Sequence, residues 1–180
     1  MSHMHEPFEP VIRAHGATVM RVCLAVLAGR GGTTHDADDA WAETFVAALR
    51  AWPDLDADAN VEAWLVRIAQ RKAIDVLRAR SRRRDDPVGD DHPVAADCDP
   101  AASSETAEIW THVARLPDRQ REAIGYHYLG GLTHVQTAEL TGSTPAAVRR
   151  AAADGIAALR RRLDSEGVGT GHLAENGASS

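Results

Sequence analysis

The sequence predicts an all-α protein of two small helical domains joined by an acidic, flexible linker. Three observations support this. Wherever apolar residues are dense they recur at helical spacing rather than alternating. Only 4% of the residues are aromatic and much of the 44% hydrophobic content is alanine, which suits close-packed helices. The periodicity stops between residues 85 and 107, where DDPVGDDHPVAADCDPAASSE carries three prolines and where Asp85 to Glu108 holds eight carboxylates and no Lys or Arg. The expected division is a first domain over residues 6–84, the linker over 85–107, a second domain over 108–165 and a disordered tail over 166–180. At 180 residues the chain has room for two such domains, each with a modest core.

Phe8 to Ala28 is a helix or helix pair: apolar residues fall at 8, 11, 12, 19, 22, 23, 26 and 27, and Gly29 with Gly31-Gly32 ends it. Thr33, Thr34 or Asp36 caps the next helix, DADDAWAETFVAALRAW, and Pro53 stops it. Its expected buried stripe is Trp41, Phe45, Ala48, Leu49 and Trp52. Asp36 and Asp38 suit the positive end of the helix dipole. Asp39 and Glu43 lie off the stripe at i, i+4, a like-charge spacing that costs an isolated helix about 0.2–0.5 kcal/mol. They form either a solvated face or a docking surface for a cationic helix. PDLDADAN, residues 53–60, is a polar loop positioned to present groups to whatever the following helix binds.

That helix, VEAWLVRIAQRKAIDVLRARSRRR, has two faces. Val61, Leu65, Ile68, Ala69, Ala73, Val76 and Leu77 gather on a core side, whereas Arg67, Arg71 and Arg78 line the other with Trp64 beside them. From Trp64 to Arg84 eight cations face Asp75 alone, in a chain whose net charge is −6. A solvated face is the bland explanation; a flat aromatic among arginines favours nucleic acid, since cations neutralise phosphates and rings stack on bases. Beyond the linker, Glu105 to Arg115 forms a helix, and Leu116-Pro117 opens another that runs to Leu129 and closes at Gly130-Gly131. Thr133 and Gln136 make a T-x-x-Q capping box for THVQTAEL. Gly142 turns the chain, and Ser143-Thr144-Pro145 caps a longer helix packing through Val148, Ile156, Leu159 and Leu163. A short helix, a glycine turn and an arginine-bearing helix are the pattern of a helix-turn-helix.

Charge is segregated: Asp36 to Glu62 is acidic, the next helix basic, the linker acidic, and Ser143 to Leu163 basic with five arginines against Asp154. Separate partners for separate segments follow. Cys23 and Cys98 fall in a helix and the linker with no CxxC, so reduced thiols are expected. His3 and His5 sit on a terminal arm and are not expected to hold a metal. No P-loop, nucleophile motif or metal-ligand spacing is present, so no enzyme, cofactor or small-molecule substrate is expected, and His112, His127 and His134 read as surface or packing residues. No signal peptide and no run of 18 apolar residues is seen, and a cytoplasmic location is expected.

Taken together, an acidic helix, a basic helix with a tryptophan, an acidic linker and a terminal helix-turn-helix resemble a bacterial RNA polymerase sigma factor of the sigma-70 family, extracytoplasmic-function (ECF) group. DADDAWAETF, residues 36–45, is similar to the family's DAEDLVQETF in region 2.2. AWLVRIAQRKAIDVLR, residues 63–78, resembles regions 2.3 and 2.4, and Leu116 to Arg150 resembles region 4. The resemblance implies a factor that binds core RNA polymerase, directs it to promoters and assists opening. Asp36, Asp38, Asp39, Glu43 and Phe45 would dock on the β′ clamp helices, and the second domain on the β flap. Leu55, Trp64, Arg67, Arg71, Lys72 and Arg78 would meet the −10 element. Thr144, Ala146, Ala147, Arg149 and Arg150 would face the −35 element. The acidic linker would follow the RNA path, and an anti-sigma factor is an expected partner. Departures from the family pattern are Ala42 for glutamine, Arg71 for asparagine, Leu55 for phenylalanine, Asp154 for arginine, and the alanines at 151–153. Ala42 and Asp154 support an alternative, a sigma-like helix-turn-helix regulator that has lost or altered initiation activity.

Overall fold

A computed structural model describes residues 7–83 and 104–166. Among them are seven α-helices and no strand: α1 (Glu9–Leu27), α2 (Thr34–Ala51), α3 (Val61–Arg83), α4 (Ser104–Ala114), α5 (Asp118–Ala123), α6 (His134–Thr141) and α7 (Pro145–Glu166). A 3-10 turn, Trp52–Asp54, follows α2, and α5 runs on into a π-helical stretch, Ile124–Leu129. His3, His5, Arg84, the linker through Ser103, Cys98 and the tail from Gly167 lie outside the described residues. Helix α4 begins at Ser104, inside the stretch expected as linker. No proline interrupts the chain between there and Pro117.

The first module is α1, α2 and α3 packed against one another. Helix α2 starts on a full capping box: the Thr33 hydroxyl accepts from Asp36 N, and Asp36 Oδ2 accepts from Thr33 N at 2.8 Å. Asn60 Oδ1 accepts from Ala63 N at 2.9 Å, so the polar loop ends by capping α3. The aromatic residues form one continuous file: Phe8 on Trp52 (5.5 Å between ring centroids) and on Phe45 (6.2 Å), Phe45 on Trp41 (4.8 Å), and Trp52 on Trp64 (6.3 Å). Trp41 also donates to Gly16 O at 2.9 Å, pinning α2 to α1.

Two corrections concern the predicted stripes. Leu49, expected in the α2 core, is 54% exposed. It lies about 80° around the helix from Trp41, beyond the arc that Ala37, Ala40, Phe45 and Ala48 bury. In α3 the fully buried residues are Leu65, Val66, Ala69 and Ala73, while Val61, Ile68, Val76 and Leu77 pack at its margin.

In the second module α6 has the predicted capping box, Thr133 with Gln136. Gly142 closes it at φ 64°, a left-handed conformation that costs a side-chain-bearing residue about 1–2 kcal/mol. A small alanine-rich core of Ala123, Ala138, Val148 and Ala152 brings α5, α6 and α7 close together. At the far end of α7, Arg162 donates to His112 O and Arg115 O, covering carbonyls at the C-terminal end of α4.

The modules do not keep separate cores. Trp110, Val113, Leu116, Ile124, Tyr126, Leu132 and Leu159 belong to the same buried cluster as α1 and α3. Residues 22–28, VCLAVLA, are buried without interruption, because α2 and α3 cover one side of α1 and the π-helical stretch the other. By length and composition α1 would be apolar enough to cross a membrane, with mean hydropathy 1.3, but its apolar surface is spent on packing within the fold.

Candidate nucleic-acid interface

On α2 the structure separates the predicted acidic residues into two groups. Asp36 is half-buried and committed internally: besides the cap, its Oδ2 accepts from Arg80 Nη1 at 3.0 Å, and both side chains are largely shielded. Phe45 is buried in the aromatic file. Neither presents itself to a partner, which corrects their expected place in the docking surface. The reason is helical phase: Phe45 faces α1, and Asp36 at the third helical position is drawn back to its own cap. Asp38, Asp39 and Glu43 are exposed. They run beside Ala42, Val46 (43% exposed) and Leu49, so the outer face of α2 is an acidic edge bordering an apolar strip. The apolar half of this face was not foreseen, although the angular offset of Leu49 from Trp41 signals it.

Helix α3 presents Arg67, Arg71 and Arg78 to solvent in one line. Arg78 pairs with Asp75 at 3.5 Å, an exposed i, i+3 contact worth little. Trp64 is half-buried at the start of this line, held against Trp52, so its ring is already oriented. Lys72 departs from the stripe, being five residues and so about 140° from Arg67. It reaches across to Glu43 at 3.2 Å and thus joins the α2 edge instead of the arginine line. Leu55 is half-buried against the core and anchors the loop. Arg67 donates to Glu139 of α6 at 3.3 Å, a contact between modules that sequence periodicity could not reveal.

On α7 the N-cap is Thr144, whose hydroxyl accepts from Ala147 N at 3.2 Å. Thr144, Ala146, Ala147, Arg149 and Arg150 are all exposed on the first turns, and Val148 turns inward to the alanine core. This is the face a recognition helix offers to a groove: small residues for close approach, arginines for phosphates or guanine edges. Asp154 is exposed one turn beyond Arg150. His134, at the start of α6, lies 4.0 Å between ring centroids from His127. Partial burial, then the charges of His127 and Arg149, hold its pKa below the ordinary value.

Residues 11–83 match Sigma-70 region 2 and residues 106–159 match Sigma-70, region 4. The RNA polymerase sigma factor CnrH of Cupriavidus metallidurans is 31% identical over 170 residues, 86% of this chain and 88% of that protein. The ECF RNA polymerase sigma factor SigC of Mycobacterium tuberculosis is 31% identical over 115 residues, a match that spans 62% of its length. Among solved structures, CnrH in complex with the cytosolic domain of CnrY superposes with TM-score 0.59 at 25% identity, covering 88% of each chain. The sigma factor RpoE in complex with the anti-sigma factor NepR from Bartonella quintana superposes at 0.66 and 19% identity, covering 87% of this chain and 98% of that one, a likeness of fold. Two family segments in order, and a relative 31% identical over most of both chains, place this chain in the sigma-70 family of RNA polymerase sigma factors, ECF group.

Proposed function

We propose that this chain binds core RNA polymerase, directs it to specific promoters and assists their opening. The observation carrying this reading is the pair of opposed faces on the first module. The acidic edge and apolar strip of α2 suit a cationic helical partner, whereas the arginine line of α3, with an oriented tryptophan, suits single-stranded DNA. In this reading Asp38, Asp39 and Glu43, aided by Val46 and Leu49, meet the polymerase β′ clamp helices. Arg67, Arg71 and Arg78 neutralise backbone at the −10 element while Trp64 stacks on or wedges beside a base, a contact worth about 1–3 kcal/mol. Thr144, Ala146, Ala147, Arg149 and Arg150 face the −35 element, and the second module meets the β flap. The factor works in the cytoplasm, without enzymatic activity, cofactor or small-molecule substrate of its own. An anti-sigma factor is a further partner, as CnrH and RpoE were each solved in complex with CnrY or NepR.

No observation favours the alternative of a regulator that has lost initiation. Ala42 lies beside Val46 and Leu49, where it extends the apolar strip. The test is reconstitution with core polymerase and run-off transcription over a promoter library. The unaltered chain is expected to start transcripts at defined sites. Asp39→Ala with Glu43→Ala is expected to weaken core binding while leaving the affinity of the free chain for DNA unchanged; equal core affinity for the double variant would remove α2 from the docking surface.

A further inference from the structure

The outer face of α7 carries few polar groups, and one of them is a carboxylate. Val148, Ala152, Leu159 and Leu163 are buried along the helix, and a Cβ added at Gly155 would lie 2.8 Å from Ile124 Cδ1. These contacts fix the rotation of the helix. Ala146, Ala147, Arg149, Arg150, Ala153 and Asp154 are left exposed. Alanines let the backbone approach a groove closely, and the charged heads they leave standing on this stretch are Arg149, Arg150 and Asp154.

Nothing in the fold accounts for Asp154. Its neighbours at i ± 3 and i ± 4 are Ala151, Ala157, Ala158 and Arg150. Arg150 followed by Asp154 is the weaker order for an i, i+4 ion pair, and neither side chain has a partner among the described residues. Asp154 also lies beyond the first turn, where an acid would meet the positive end of the dipole, and Asp is a poorer helix former than the alanines beside it.

Facing DNA, a carboxylate is repelled by phosphates and by the acceptor atoms of base edges. The major groove offers it two donors, the amino groups at N6 of adenine and N4 of cytosine. Adenine sets its N7 acceptor beside the amino group, whereas cytosine presents no acceptor of its own there. Cytosine is therefore the base that suits it. Asp154 stands about 6 Å along the axis from Arg150 and about 40° around it, a separation of about one or two base-pair steps at about 3.4 Å each.

We propose that Asp154 sets −35 specificity by accepting from the N4 amino group of a cytosine, about one or two base pairs from the base that Arg150 contacts. Guanine or thymine in that place meets the carboxylate with acceptors and is rejected, so the residue acts against wrong sites as well as for the right one. The proposal rests on the reading that α7 faces the −35 element.

The experiment is holoenzyme transcription over a promoter library randomised across the −35 element, read by transcript sequencing. Wild type is compared with Asp154→Ala, Asp154→Asn, Arg149→Ala and Arg150→Ala. Wild type is expected to favour cytosine in one column. Asp154→Ala is expected to reduce that preference about tenfold, chiefly by raising the use of promoters with guanine or thymine there. Asp154→Asn is expected to move the preference to adenine, because an amide pairs with N6 and N7 together. All three residues are exposed, and unchanged thermal melts check that the variants fold. An equal rise at every promoter would reduce Asp154 to general repulsion, and a loss confined to the column that Arg150→Ala alters would make it a support for Arg150. Either result overturns the proposal, as do Asp154 variants with wild-type preferences when the arginine variants have changed theirs. The −35 reading fails separately, when Arg149→Ala and Arg150→Ala leave every column unchanged.

Discussion

Asp36 and Asp39 are three residues apart on one helix and have opposite fates. Asp36 accepts from the Thr33 backbone and hydroxyl and from Arg80, whereas Asp39 is exposed, with His35 at 3.8 Å. Asp36→Ala removes a cap partner and leaves Arg80 without this carboxylate, and is expected to cost about 1–3 kcal/mol in denaturant unfolding. Asp39→Ala is expected to stay within about 0.5 kcal/mol of wild type. Equal losses for the two would contradict the division of α2 into an inward and an outward acid. Cys23 gives a second test at this scale. Burial pushes its thiol from the ordinary 9.0 up to about 12. The folded state therefore stays protonated while the unfolded state ionises, so this contribution is intact below pH 9 and is lost as pH rises toward 12. In a Cys98→Ser background, modification of Cys23 by a thiol reagent at pH 8 is expected to proceed only at the rate of unfolding; rapid modification of the folded chain would refute its burial.

Among the elements, α7 is where sequence and structure agree most closely. Its cap, its proline start and its inward Val148 leave Arg149 and Arg150 exposed on the first turns. Arg149→Ala is expected to relax −35 preference at one position by about 1–3 kcal/mol if it reads a base, or to weaken all promoters alike if it meets phosphate. A promoter-library readout in holoenzyme separates the two, and no effect on either would take Arg149 out of the interface. Helix α6 carries a pH dependence. Because the folded His134 pKa is depressed, its contribution to stability is present above about 6.5 and is lost as pH falls through the folded value. His134→Gln is expected to flatten that acid limb in thermal melts.

For the whole molecule, the proposed part of Trp64 in promoter opening rests on its ring being held against Trp52. In holoenzyme, Trp64→Ala is expected to leave closed-complex binding intact and to slow strand separation; equal permanganate reactivity around the start site would exclude the wedge role. The two modules share one buried cluster, in which Tyr126 lies with the C-terminal half of α1.

The sequence by itself determined the helices, their caps and the order of the two modules, since these depend on residues within a turn or two of one another. Thr133–Gln136 and the exposed line of Arg67, Arg71 and Arg78 were legible from spacing alone, whereas the α2 cap stayed open among Thr33, Thr34 and Asp36 until the structure paired Thr33 with Asp36. Which carboxylates face outward, and where Leu49 and Lys72 point, was only partly legible, because a few tens of degrees of helix rotation separate core from surface. Only the tertiary structure decided that Asp36 meets Arg80 and Arg67 meets Glu139, and that Gly125 lies against Ala25. These contacts join residues 44, 72 and 100 positions apart, and no local periodicity encodes a partner at that distance.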